Sequence, residues 1–167
     1  MSGFDREALS HFRIISGGQT GADRAALDAA LSAGIECGGW CPDGRRAEDG
    51  EIPARYPLVG LVGGGYRQRT FRNIEDSDGT AIFYFDRPRG GTELTLAKCI
   101  KLSKPYKLID ASALDAKQAS EILLAFVAGD GILTLNVAGP RESSAPGAYA
   151  FVHQTVALFI ESLRNRT

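Results

Sequence analysis

The sequence predicts a single α/β domain over residues 1–167: a doubly wound, mostly parallel sheet of about five or more strands flanked by helices. Three observations carry that expectation. Short apolar runs alternate with longer stretches of helical period. Four turns that follow an apolar run are rich in glycine and polar or basic residues, while the returning turns at Gly34, Asp78-Gly79, Lys104-Pro105 and Gly129-Asp130-Gly131 are plain. Finally, 167 residues at 44% hydrophobic content suffice for one core. In a parallel α/β sheet the strand-to-helix turns lie at the carboxyl edge, where ligands bind. That edge is expected to hold an anion.

The elements follow in order. Residues 1–10 lack an apolar signal-peptide core, so secretion is not expected, and residues 1–11 are expected as a flexible N-terminal extension. Residues 12–16 read as a buried strand, and 22–33 as a helix whose alanines allow close packing before Gly34 stops it. A short strand over 35–37 follows. Residues 38–65, punctuated by Pro42, Pro53 and Pro57, show no period; a loop that long is either functional or contains further elements. An arginine-bearing helix is expected over 66–76, then a strand over 80–85, a helix over 91–103 and a strand over 106–109. In the helix over 115–128, Ala119, Ile122, Leu123 and Phe126 share one face. A last strand over 132–138 leads to a closing helix over 147–164 with Val152, Val156, Phe159, Ile160 and Leu163 at helical spacing.

The rich turns supply the candidate site. In the first, Gly17, Gly18, Gln19, Thr20 and Gly21 would let backbone approach a phosphate at a helix start. It is neither a Walker loop nor a full Gly-x-Gly-x-x-Gly. Asp23 follows in the first helical turn, placed either to favour the helix dipole or to touch a ligand. Arg89-Gly90-Gly91-Thr92 repeats the logic, with Thr95 one turn on. After the last strand, Gly139 and Arg141 emerge at the same edge, while Asn136 is expected to brace a neighbouring loop. Trp40 is either a core plug or a stacking wall for a flat heterocycle. Arg45, Arg46 or Arg69 would add a second guanidinium for the phosphate.

Composition excludes several classes. Lys+Arg 19 against Asp+Glu 20 leaves no global field for nucleic acid or an anionic membrane, and no apolar run is long enough to span one. Cys37, Cys41 and Cys99 make an odd count that suits a reducing cytoplasm. His11 and His153 stand apart from them, so neither a protein-ligated metal nor a Ser–His–Asp or Cys–His triad is expected.

Several blocks together resemble the putative molybdenum carrier family. They are Ile15-Ser16-Gly17-Gly18-Gln19-Thr20-Gly21-Ala22-Asp23-Arg24, Gly38-Gly39-Trp40-Cys41-Pro42, and Arg45-Arg46-Ala47-Glu48-Asp49-Gly50. Tyr66 with Arg69-Thr70 and Asn73, Gly90-Gly91-Thr92 with Leu94-Thr95, and Leu135-Asn136-Val137-Ala138-Gly139-Pro140-Arg141-Glu142-Ser143 complete the pattern. The family is similar to a circularly permuted branch of the SLOG superfamily, Rossmann-like proteins distantly related to Lonely Guy-type phosphoribohydrolases. The resemblance implies a molybdenum cofactor or a nucleotide as ligand, a carrier or sensor role, and a homodimer or higher homo-oligomer. It departs from the hydrolases at one point. When Gly91-Thr92 is laid on the Gly-Thr of their Pro-Gly-Gly-x-Gly-Thr-x-x-Glu, Thr95 stands where the glutamate should be. A threonine cannot act as that carboxylate. The alternative, a nucleotide-cleaving hydrolase, would therefore need Asp23, Asp43, Asp86 or Glu142.

Overall fold

The structure, a computed structural model, describes residues 4–167; residues 1–3 of the expected extension lie outside them. From Phe4 onward that segment carries a short capped helix and an aromatic contact to the core. The Asp5 carboxylate caps α1 (Arg6–His11) by accepting from Ala8 N–H, and Phe4 packs edge-on against Phe12 at 5.8 Å.

Then come β1 (Arg13–Ile15), α2 (Ala22–Ser32) and β2 (Glu36–Gly38). The segment without a sequence period contains β3 (Trp40–Pro42), a 3₁₀ turn (Asp43–Arg45), β4 (Arg46–Ala47), β5 (Gly50–Glu51) and β6 (Val59–Leu61). The remainder is α3 (Tyr66–Glu75), β7 (Gly79–Tyr84), α4 (Gly91–Lys101), β8 (Tyr106–Asp110), α5 (Ala116–Asp130), β9 (Thr134–Ala138) and α6 (Ala148–Asn165).

Five strands form one parallel sheet in the order β2-β1-β9-β7-β8. Because β-strand side chains alternate between faces, β7 feeds both layers. Ala81 and Phe83 join the large core with Phe12, Ile14, Leu27, Leu135 and Phe159 under α2, α5 and α6. Ile82 faces the other way, onto Ile74 of α3 and Cys99 of α4. The single α/β domain with its parallel sheet is as the sequence predicts.

Residues 38–65 gave no period because their strands are two or three residues long and pair outside the main sheet: β3 with β6 in parallel, β4 with β5 antiparallel. Arg45 holds this excursion together. Its guanidinium donates to the carbonyls of Leu58 (2.7 Å), Pro53 (2.9 Å), Tyr56 (3.0 Å) and Ile52 (3.2 Å).

Candidate functional site

The turns after β1, β7 and β9 open onto one cleft of about 760 Å³ at the carboxyl edge of the sheet. That size lies within the usual range for small-molecule sites. The β1–α2 turn contributes Gly17, Gln19 and Asp23, and α3 contributes Arg69. Gly90, Gly91, Thr92 and Thr95 come from the β7–α4 turn, and Gly139 and Arg141 from the β9–α6 turn.

The floor is built around Asp23 and Arg69. Asp23 Oδ2 accepts from Arg69 Nη1 at 3.0 Å and from the Gln19 backbone N–H at 3.2 Å. Both side chains are about nine-tenths buried. Burial pushes the Asp23 carboxyl up from its ordinary range, and the charge of Arg69 opposes that shift. Gly17 makes the pairing possible: a Cβ there would stand 1.5 Å from Arg69 Nη1. A glycine read as room for a phosphate is in fact room for a guanidinium.

The side chains of the first turn are held by their neighbours, although the N–H groups of Gly17, Gly18 and Gly21 have no acceptor among the described residues. Gln19 Oε1 accepts from Thr20 and Glu48 backbone N–H groups, at 3.1 and 2.9 Å, and Ala22 N–H at the start of α2 donates to Pro140 O. Gly21 fits under that strap, since a Cβ there would meet Pro140 O at 2.4 Å. Gly18 packs beneath Leu58 and Ile52. The Thr20 hydroxyl donates to Glu48 and accepts from Glu142 N–H. Gly18, Thr20 and Gly21 thus hold the turn together and do not line the cleft, which corrects the expectation of a phosphate cradle there.

The β7–α4 turn is different. Gly90 has φ 53, a left-handed conformation that favours glycine, and a Cβ on Gly90 or Gly91 would meet nothing within 4 Å. Thr92 N–H donates to Arg89 O and Leu94 N–H to Gly90 O. Among the described residues the N–H groups of Gly90 and Gly91 have no backbone acceptor. They open at the positive end of an 11-residue helix, flanked in the cleft by Arg87, Arg89 and Arg141. Thr92 stands among them, whereas the Thr95 hydroxyl donates back to Gly91 O at 2.9 Å.

Above the floor, the guanidiniums of Arg69 and Arg141 each lie 5.6 Å from the Tyr66 ring centroid, within cation–π range. Glu48 ties the rim together. It accepts from Thr20 and from the Ser143 hydroxyl and backbone N–H, with Arg141 at 4.0 Å. The Ser143 hydroxyl first, then Thr20, holds its carboxyl below the ordinary value. Glu48 is not among the residues the sequence marks for the site, although it sits inside the Arg45–Gly50 block that carries the resemblance. Asn136 donates to Thr80 on the neighbouring strand at 3.2 Å and lines the cleft, so it braces the sheet and not a loop.

Three expected contacts lie elsewhere. Trp40 is neither core plug nor cleft wall: its Nε1 donates to Asp76 at 2.7 Å, Arg72 lies over its ring, and Asn73 brackets its backbone, joining β3 to α3. Arg45 is engaged by the four carbonyls described above. Arg46 donates to Asp43 O in the same excursion, and the Asp43 carboxylate accepts from Gly63 N–H. Of the carboxylates suggested for hydrolysis, Glu142 caps α6 by accepting from Gly147 and Tyr149 N–H. Asp86 is largely exposed beside Arg89 at 3.5 Å and does not line the cleft. Asp23 alone of the four lines it.

No three of the His, Cys, Asp and Glu side chains among the described residues are grouped to hold a metal ion, and the three thiols are buried and free. No described helix is long and apolar enough to cross a membrane.

No curated protein matches the chain. Among solved structures it is similar to the crystal structure of a "putative molybdenum carrier protein" from Syntrophus aciditrophicus SB. The two share 39% sequence identity with a TM-score of 0.86, over 89% of this chain and 94% of that one. A family model matches residues 14–160, from β1 into α6 and through every turn of the cleft, so the chain belongs to the circularly permutated YpsA SLOG family.

Proposed function

We propose that the cleft binds a small phosphorylated heterocycle, with the phosphate at the N-terminus of α4, and that the protein acts as a carrier or sensor of that ligand. One observation carries the reading. The unpartnered N–H groups of Gly90 and Gly91 share a nucleotide-sized cleft with Arg87, Arg89 and Arg141. Free helix-start donors beside guanidiniums are an anion site.

The description of the Syntrophus relative brings molybdenum cofactor forward as one ligand, and a nucleotide is the other. The donors suit the phosphate and ring of either. No cysteine lines the cleft, so a metal there would keep the ligands it arrived with. When bound, the cofactor would bring its metal-centred redox chemistry; this chain's residues would hold its phosphate and shield its ring.

Hydrolysis of a nucleotide is the weaker alternative, since Asp23, the carboxylate left at the cleft, is tied to Arg69. The buried free thiols suit the cytoplasm, and a homo-oligomer remains part of the reading. Mass spectrometry of ligand co-purified under mild conditions, followed by thermal shifts with nucleoside monophosphates and molybdenum cofactor, tests the proposal. Ligand at ~100 times Kd should stabilise by about 2.7 kcal/mol. If no phosphorylated heterocycle raises the melting temperature, the reading fails; if products accumulate, the hydrolase replaces the carrier.

A further inference from the structure

Gln19 is 6% exposed and lines the cleft, yet its Nε2 has no hydrogen-bond partner among the described residues. A buried amide N–H₂ left unmade is costly, so such a group usually has a partner when the protein works. Its orientation is not arbitrary. The Thr20 and Glu48 backbone N–H groups, at 3.1 and 2.9 Å, both converge on one atom of the amide, which must be the oxygen. The nitrogen is therefore the end left without a partner, itself buried, and it can only donate.

An acceptor stands in the same turn. Both hydrogen bonds made to the Asp23 carboxylate fall on Oδ2, from Gln19 N and Arg69 Nη1. Its Oδ1 has no donor among the described residues, and Asp23 also lines the cleft. A ligand edge that meets both groups must offer an acceptor beside an N–H. A ring carbonyl next to a ring N–H, the lactam edge, offers that pair.

The spacing suits a ligand that also reaches α4. The turn carrying Gln19 follows β1 and the turn carrying Gly90 follows β7, with β9 between them. At the usual inter-strand distance the two turns stand about 10 Å apart, the reach of a nucleotide-sized molecule and beyond that of free phosphate.

Building on the phosphate site proposed above, we infer that Gln19 and Asp23 select lactam heterocycles, with Gln19 Nε2 donating to the ring carbonyl and Asp23 accepting from the adjacent N–H. The heterocycle is thus of the oxo-purine or oxo-pterin class, and its amino-substituted counterpart is rejected. An amino group in place of the carbonyl would set N–H₂ against N–H₂.

Inosine and adenosine monophosphates make the test, because they share a phosphate and ribose and differ at that edge. Calorimetric titration of the wild-type protein should show inosine monophosphate binding about tenfold or more tighter. Gln19→Glu keeps an oxygen for the two backbone N–H groups and, titrated at a pH where it is ionised, removes the donor. Its added charge weakens both nucleotides through their common phosphate, so the ratio of their affinities reads the edge alone. That ratio should fall to near one or invert, and the ligand-free melting temperature should fall as well, because the new carboxylate is buried close to Asp23. Equal binding of the two nucleotides by the wild-type protein overturns the inference and leaves the phosphate site standing. An unchanged ratio in Gln19→Glu also overturns it. Binding of neither nucleotide removes this inference together with the phosphate site.

Discussion

Asp23 Oδ2 and Arg69 Nη1 meet 3.0 Å apart on the floor of the cleft, joining α2 to α3 across 46 residues of sequence. Each is about nine-tenths buried, so neither charge has water to fall back on. Removing one partner of such a pair strands the other. Arg69→Met should lower stability by roughly 3–5 kcal/mol in chemical denaturation, whereas Arg69→Met with Asp23→Leu should recover most of the loss. A single variant as stable as the parent would show that the pair contributes little.

Gly17 lies under that guanidinium, and an added methyl would overlap Arg69 Nη1 at 1.5 Å. Gly17→Ala should displace Arg69 from Asp23 and destabilise by about 1–3 kcal/mol, an overpacking cost visible as a lower denaturation midpoint. Gly91→Ala makes the contrast. Its methyl meets nothing within 4 Å, so stability should hold while the approach of an anion to the α4 N-terminus is obstructed. Nucleotide affinity should drop about tenfold by calorimetry, the equivalent of one hydrogen bond.

Arg141 lines the cleft without helping to form the core. Arg141→Ala should weaken binding of a phosphorylated ligand by about 1.5–3 kcal/mol, with a much smaller change in melting temperature. Undiminished affinity would remove it from the phosphate site.

Glu48 should make the rim acid-sensitive. Its folded-state pKa lies below the ordinary 4.5, chiefly through the Ser143 hydroxyl. The stabilisation is therefore present above the unfolded value and is lost as pH falls through the folded one. Between neutral pH and pH 3, Glu48→Gln should lose less stability than the parent protein, measured by thermal unfolding. Parallel curves would mean that Glu48 adds nothing to acid sensitivity.

The layout was largely legible in the chain. Apolar runs in strands 12–16 and 80–85 and the helical period of 147–164 are local properties, and each marked an element close to where it stands. The excursion over 38–65 was not legible, because strands of two or three residues are too short to show a period. Gly17 reads in the sequence as room for a phosphate, whereas in the fold the Arg69 side chain lies against it.

Periodicity and glycine placement alone therefore specified the parallel α/β domain and three of the four turns that they marked for the carboxyl edge, those after β1, β7 and β9. Which donors in those turns stay open was settled by partners distant in sequence. Pro140 O accepts from Ala22 N–H, the Thr20 hydroxyl accepts from Glu142 N–H 122 residues away, and four carbonyls accept from Arg45. A buried polar group must find a partner wherever folding brings one, so Gln19 Oε1 and the Thr20 hydroxyl are engaged, while the N–H groups of Gly90 and Gly91 and Gln19 Nε2 have no partner among the described residues.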